Sequence, residues 1–332
     1  MKLLVCGGAG FIGSNFVRQR ITEYGDDVVV LDKLTYAGRE ENLADVSDRP
    51  GYSFVHAGIE DAEAVAAAME GCDAVVNFAA ETHVDRSIAE PDAFVTTHAI
   101  GTWVLLEAAR ERGLRYVQVS TDEVYGSIEE GSFTEDSPLA PSSPYSATKA
   151  GADLLVWSYF HTYDMPTLIC RGSNNYGPFQ YPEKLIPLMI LNALHGDPLP
   201  VYGDGQQIRN WIFVEDFARA IGHVLEHGEP GNVYNAGGPD ECANLQVVQR
   251  IVSLTGCGDD LIEYVTDRPG HDRRYSLSSE KVCALGWEPR MRFGDGLAHT
   301  VAWYRDHPQW WEPIRSGDYR AYYERQYGRQ LG

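Results

Sequence analysis

Short runs of Val, Ile, Leu and Ala alternate with longer amphipathic stretches through the first half of the chain. The runs at 2–6, 28–32, 53–56, 74–78, 115–120 and 167–171 predict strands. The stretches at 12–23, 60–69, 94–112 and 145–163 predict helices. Strand–helix alternation of this kind implies a parallel sheet with helices on both faces. Ligands of such sheets bind outside the carboxyl ends of the strands.

After residue 171 the rhythm breaks. Proline and glycine become frequent, at Gly177-Pro178, Pro182, Pro187 and Asp197-Pro198-Leu199-Pro200. Strands are predicted at 208–213 and 232–235, helices at 215–225 and 245–254. The expected architecture is an α/β chain: a Rossmann-type, doubly wound parallel sheet with a smaller mixed α/β substrate-binding domain. The first domain is expected to span 1–171 and 207–235, the second 172–206 and 236–332. The aromatic tail at 303–327 is expected to pack against the body.

Composition removes several function classes. Of 332 residues, 44% are hydrophobic and 23% charged, an ordinary balance for a globular protein. The formal net charge of −21 disfavours nucleic acid as a partner, because phosphate binding needs clustered Lys and Arg. No apolar run approaches the roughly 20 residues that cross a bilayer, so no membrane association is expected. Met1 to Cys6 leads straight into a glycine loop and reads as a first strand, not a signal peptide. The six cysteines show neither CxxC nor zinc-ligand spacing; reduced thiols in a cytoplasmic protein without a metal site are expected.

Gly7-Gly8-Ala9-Gly10-Phe11-Ile12-Gly13 follows the first strand and opens the first helix. Gly7, Gly10 and Gly13 match the spacing that gives a tight turn, close approach to a pyrophosphate and close helix–sheet packing. Asp32 ends the second strand, where a carboxylate would hold the adenosine ribose and repel a 2′-phosphate. NAD is therefore the expected cofactor, with Lys33 able to blunt the discrimination against NADP.

Ser120-Thr121-Asp122-Glu123-Val124-Tyr125-Gly126 follows the fifth strand, and Tyr145 and Lys149 lie one helical turn apart further on. A tyrosine ionises near ~10 and is a poor base at neutral pH. A neighbouring ammonium and a positive nicotinamide ring favour its phenolate, which then removes a proton from an alcohol. The adjacent carboxylates offer an acid and a base. Consecutive strand residues point to opposite faces, so both reach one site only if they lie just past the regular strand.

This pattern resembles the extended short-chain dehydrogenase/reductase family. Thr121-Asp122-Glu123 is similar to the signature of its nucleoside-diphosphate-sugar 4,6-dehydratases, most closely those acting on dTDP-glucose. The likeness continues through 31–38, 79–87, 173–178, 182–187 and 268–275. It implies that Tyr145 oxidises the sugar at C4 with NAD, while Thr121 and Lys149 orient and polarise the site. Glu123 then removes the C5 proton and Asp122 protonates the departing 6-hydroxyl. For the cofactor it implies contacts from Gly7, Gly10, Phe11, Ile12, Gly13, Asp32, Lys33, Thr35, Gly38, Ile59, Ala79, Ala80, Thr97, Tyr145 and Lys149. For dTDP-glucose it implies His83, Thr121, Asn174, Glu183, Lys184, Leu185, Arg209, Asn244, Arg268 and His271, with Pro200 and Tyr202 flanking the base. A homodimer through the helices at 94–112 and 145–163 is implied as well.

Three positions depart from the family pattern. Ala57-Gly58-Ile59 stands where Gly-Asp-Ile commonly meets the adenine, which removes one carboxylate acceptor. His98 replaces the usual asparagine, and Asn210 replaces the acid beside Arg209. A UDP- or CDP-sugar dehydratase is the nearest alternative. A 4-epimerase or decarboxylase would use the Tyr/Lys pair but not the acid pair, and a non-catalytic dinucleotide sensor would need neither.

Overall fold

The computed structural model describes residues 1–267 and 271–316. In chain order, β1 (Lys2–Cys6), α1 (Phe11–Thr22), β2 (Asp27–Asp32), β3 (Tyr52–His56), α2 (Ala62–Ala68) and β4 (Ala74–Asn77) come first. Then come α3 (Val84–Ala89), α4 (Asp92–Val95), α5 (Thr102–Glu111), β5 (Arg115–Thr121), α6 (Pro144–Tyr163) and β6 (Thr167–Gly172). The second half adds β7 (Asn174–Tyr176), α7 (Leu185–His195), β8 (Leu199–Tyr202), β9 (Ile208–Phe213), α8 (Val214–His227) and β10 (Val233–Ala236). It closes with β11 (Asp240–Ala243), α9 (Asn244–Thr255), β12 (Ile262–Val265), α10 (Glu280–Cys283), α11 (Phe293–Asp306) and α12 (Pro308–Ser316).

Seven strands form one parallel sheet in the order β10-β6-β5-β4-β1-β2-β3. Because β1 lies between β2 and β4, the winding reverses there, and a crevice opens at the carboxyl ends of these strands. Side-chain alternation divides the core. Leu3, Val5, Val28 and Val30 pack with Phe16 and Val17 of α1 and Phe217 and Ile221 of α8. Leu4, Cys6, Val29 and Leu31 face the other way, onto Val65 of α2, Leu105 of α5 and Val156 of α6. The sheet is thus covered on both faces, as its nearly unbroken apolar strands require.

A second core is built around α7, α9, α11 and α12, with Met189, Ile190, Val248, Leu297, Trp310 and Trp311 at its centre. It carries a three-stranded sheet, β11-β9-β7, and a two-stranded one, β12-β8. Of the stretch 207–235, expected to return to the first domain, α8 and β10 pack with the large sheet. By contrast, β9 pairs with β7 and β11. Of the aromatic tail, Trp310 donates its indole N–H to Asn42 Oδ1 at 2.8 Å, while 317–332 lie outside the described residues.

The stretch 94–112 is one rod with a fault in it: a π-helical turn, Thr96–Gly101, joins α4 to α5. Its widened hydrogen bonding sets His98 inward, behind the cleft. Helix α7 has no counterpart in the sequence reading, which placed no element there and noted Pro187 among the frequent prolines. Pro187 occupies the third position of α7, where a backbone N–H has no acceptor within the helix.

Candidate active site

Strand β5 stops at Thr121, and Asp122–Tyr125 form a single 3-10 turn capped by Thr121, whose Oγ1 accepts from Glu123 N at 3.3 Å. The chain leaves strand geometry between Thr121 and Asp122, so Asp122 and Glu123 escape the alternation that would part them. Both line the same cleft as Tyr145 and Lys149. Helix α6 presents those two residues firmly: Pro144 starts it, and Ser143 and Ser146 cap it reciprocally.

Electrostatics separates the two acids. Burial, and then the Glu123 charge, push the Asp122 carboxyl up to about 8, against the pull of Arg209 and Thr121. Asp122 is thus a protonated acid at neutral pH; its Oδ2 has no hydrogen-bond partner, while Thr121 Oγ1 lies 3.3 Å from Oδ1. Burial also raises the Tyr145 phenol above its ordinary value, and Glu123 adds to this, while a hydrogen bond with Thr121 lowers it. Lys149 donates to the Val119 carbonyl at 2.7 Å rather than to Tyr145. Burial brings its ammonium down to about 8, and the Asp153 carboxylate opposes that fall. The expected help from Lys149 in ionising Tyr145 is therefore not visible in the protein alone.

The cleft runs from these groups to the start of α1 and is lined by every residue expected to meet the cofactor. The test of fit is local. A Cβ on Gly13 would lie 2.3 Å from Gly7 O, and one on Gly7 2.5 Å from Ala79 N, so only glycine permits this close turn. Gly10 caps α1 without a side-chain hydrogen bond, and the first turn holds no acid, which leaves its amides to an anion. Asp32 accepts from Ala9 N at 3.0 Å and Leu34 N at 2.9 Å, and a Cβ on Gly38 would stand 2.7 Å from its Oδ1. The space before that carboxylate is therefore kept open, as a ribose hydroxyl requires. These residues fit NAD.

Asn174 and Lys184 line the cleft too, and Asn174 Oδ1 is buried with no hydrogen-bond partner. Lys184 donates to Thr82 O at 2.5 Å. His83, Glu183, Leu185, Pro200, Tyr202, Arg209, Asn244 and His271 do not line it. His83 precedes α3, and Glu183 is buried against Arg86 at 3.2 Å. Leu185 opens α7 and Asn244 opens α9, while Pro200 and Tyr202 lie on β8. Arg209 stacks over the Tyr275 ring, and His271 meets Asp267 at 2.6 Å. Arg268 lies outside the described residues. Asn210 turns from Arg209 and donates to Gly238 O at 2.8 Å.

The family model for GDP-mannose 4,6 dehydratase matches residues 4–300. The chain belongs to that family. Within it, the low-salt glycan biosynthesis protein Agl12 of Haloferax volcanii is 54% identical over 305 residues, 92% of this chain and 98% of that protein. The dTDP-glucose 4,6-dehydratase of Streptomyces niveus is 51% identical over 325 residues, 96% of this chain and 97% of that one. Among solved structures, DesIV, a dTDP-glucose 4,6-dehydratase of Streptomyces venezuelae with NAD and TYD bound, superposes with a TM-score of 0.93 at 50% identity. That match covers 95% of this chain and 100% of the other.

Two positioning residues of this member of the GDP-mannose 4,6 dehydratase family went unassigned in the sequence. Buried His98 accepts from Glu81 N through Nε2 at 3.1 Å, so its proton sits on Nδ1, which lies 2.8 Å from Thr148 Oγ1. Burial, then Lys149, hold its pKa well below the ordinary histidine value, so it stays neutral. Asp153 accepts from Ser120 Oγ at 3.0 Å and Arg171 Nε at 2.8 Å, pinning α6 to β5 and β6. Its place one helical turn beyond Lys149 is the signal the sequence held.

Proposed function

We propose that this protein dehydrates dTDP-glucose to dTDP-4-keto-6-deoxyglucose, as a cytoplasmic hydro-lyase using NAD. The observation that carries the reading is the turn at Asp122–Glu123, which puts a protonated acid beside a second carboxyl at the Tyr145 end of the cleft. Held by the glycine turn and Asp32, NAD would supply a hydride acceptor for C4 and a hydride donor for C6. With the positive ring of the bound cofactor beside it, Tyr145 ionises, and its phenolate takes the proton of the 4-hydroxyl as that hydride leaves. Glu123 removes the C5 proton that the new ketone acidifies, and Asp122 gives its proton to the departing 6-hydroxyl, so water leaves. Glu123 hands its proton back to C5 once C6 is reduced. The balance leaves a proton on Tyr145 and a deficit on Asp122. Thr121, hydrogen-bonded to both, is the hydroxyl through which it returns.

The second core, with Asn244, Tyr202 and Arg209, supplies the nucleotide-binding half in this reading, while 1–171 with α8 and β10 hold the cofactor. A homodimer is proposed through the helical rod at 94–112, which joins the end of α4 and the π-helical turn to α5, and through α6. Val95, Ile100 and Trp103 with Leu154 and Trp157 leave a broad apolar face exposed on these neighbouring helices.

Incubation with dTDP-glucose tests the reaction: a 4-keto product lacking the 6-hydroxyl is expected, with no net NADH. A 4-epimerised product that retains the hydroxyl would overturn the assignment. Parallel assays with UDP- and CDP-glucose test the base. Glu123→Gln should still oxidise C4 but stall there, with reduced cofactor visible by absorbance.

A further inference from the structure

One carboxylate of the cleft has no role in the chemistry above. An ideal Cβ at Gly58 would lie 2.4 Å from Glu60 Oε2 and 2.6 Å from Glu60 Oε1. The Glu60 side chain therefore folds back into the volume that a side chain at 58 would fill, and it lines the cleft there with Asp32 and Lys33. Its Oε1 faces Lys33 Nζ at 3.6 Å. Lys33 also faces Glu81 at 3.6 Å and donates to Thr97 Oγ1 at 3.2 Å. The ammonium is thus held from three sides, which keeps Glu60 over Gly58 and keeps Lys33 from serving a 2′-phosphate.

The order of subsites says what reaches this carboxylate. Phosphates belong at the start of α1 and the ribose at Asp32, the last residue of β2. The base must continue outward, across the end of the neighbouring strand β3. There Asp32 is in register with His56, and the chain turns through residues 57–60. Adenine's exposed edge offers an exocyclic amine, and an ionised carboxylate only accepts hydrogen bonds. We infer that Glu60 accepts a hydrogen bond from the 6-amino group of the bound cofactor's adenine, with Gly58 leaving the room for it to do so. The inference rests on the NAD reading above.

The test is a calorimetric titration of the full-length protein, freed of dinucleotide, with NAD and with an analogue carrying unsubstituted purine in place of adenine. Wild type should bind the purine analogue roughly tenfold more weakly than NAD, the worth of one hydrogen bond to a charged acceptor. In Glu60→Ala the two ligands should bind equally, both near the wild-type affinity for the purine analogue. Gly58→Asp in that background should restore the preference for NAD, since a carboxylate is returned to the same volume. Equal weakening of both ligands by Glu60→Ala would mean that Glu60 serves only to place Lys33, and would overturn the inference. A preference for the amine that survives Glu60→Ala would overturn it too. Failure of wild type to bind either dinucleotide would sink the cofactor reading itself, a different result.

Discussion

Asp122 shows how a single residue's environment sets its chemistry. An acid at about 8 is protonated through neutral pH, and its pKa in the unfolded chain is about 4. The folded state therefore binds the extra proton between about pH 4 and pH 8, and across that window stability falls as pH rises. Asp122→Asn should remove this slope: a series of melting curves should show the variant gaining on wild type from pH 5 to pH 8. The same substitution deletes the general acid, so kcat should drop by about a hundredfold or more. In wild type, Asp122 and Lys149 both lose their protons near 8 in the free enzyme, and kcat/KM should decline above that pH. A flat profile to pH 9.5 would contradict the roles given to both.

At the scale of elements, α6 is the part whose placement matters most. Tyr145, Lys149 and Asp153 follow each other at helical spacing; Lys149 ties the helix to the Val119 carbonyl of β5, and Asp153 ties it to both β5 and β6 through Ser120 and Arg171. Asp153 and Arg171 are both buried, so Asp153→Asn strands a cation and should cost about 3 kcal/mol in chemical denaturation. It should also move the alkaline decline of kcat/KM to lower pH, because the Asp153 charge is what opposes the desolvation of Lys149. Asp153→Glu should recover part of both effects. The glycine turn before α1 is a second such element. Gly13→Ala would bring a methyl group against the Gly7 carbonyl, and NAD binding should weaken severely in a fluorescence titration.

For the whole molecule, the two cores meet along the cleft, and the apolar face of α5 and α6 lies on the large sheet's side. Trp103 is 51% exposed and Leu154 57%, large values for such side chains. Trp103→Glu combined with Trp157→Glu should give a monomer by light scattering, whereas wild type should have twice the chain mass.

How much of this was legible in the chain follows from the range of the interactions involved. The large sheet's first six strands, the glycine turn, Asp32, the acid pair and Tyr145 with Lys149 could be read directly. Each declares itself through local periodicity, or through short spacing on one strand end or one helix. β9 and α9 of the second core could be read too, but β7, β8, β11, β12 and α7 could not: the strands are three or four residues long, Pro187 and Pro200 interrupt the apolar pattern, and a second core is what holds these pieces. The end of β5 could be read to within one residue, but the aim of Asp122 and Glu123 turns on that residue, since one more of strand would part them. The protonation of Asp122, the three-sided hold on Lys33, the anchor at Asp153 and the Glu60 carboxylate over Gly58 are decided by tertiary structure alone. Burial and the approach of charges distant in sequence depend on where the whole chain goes, and no local pattern contains them.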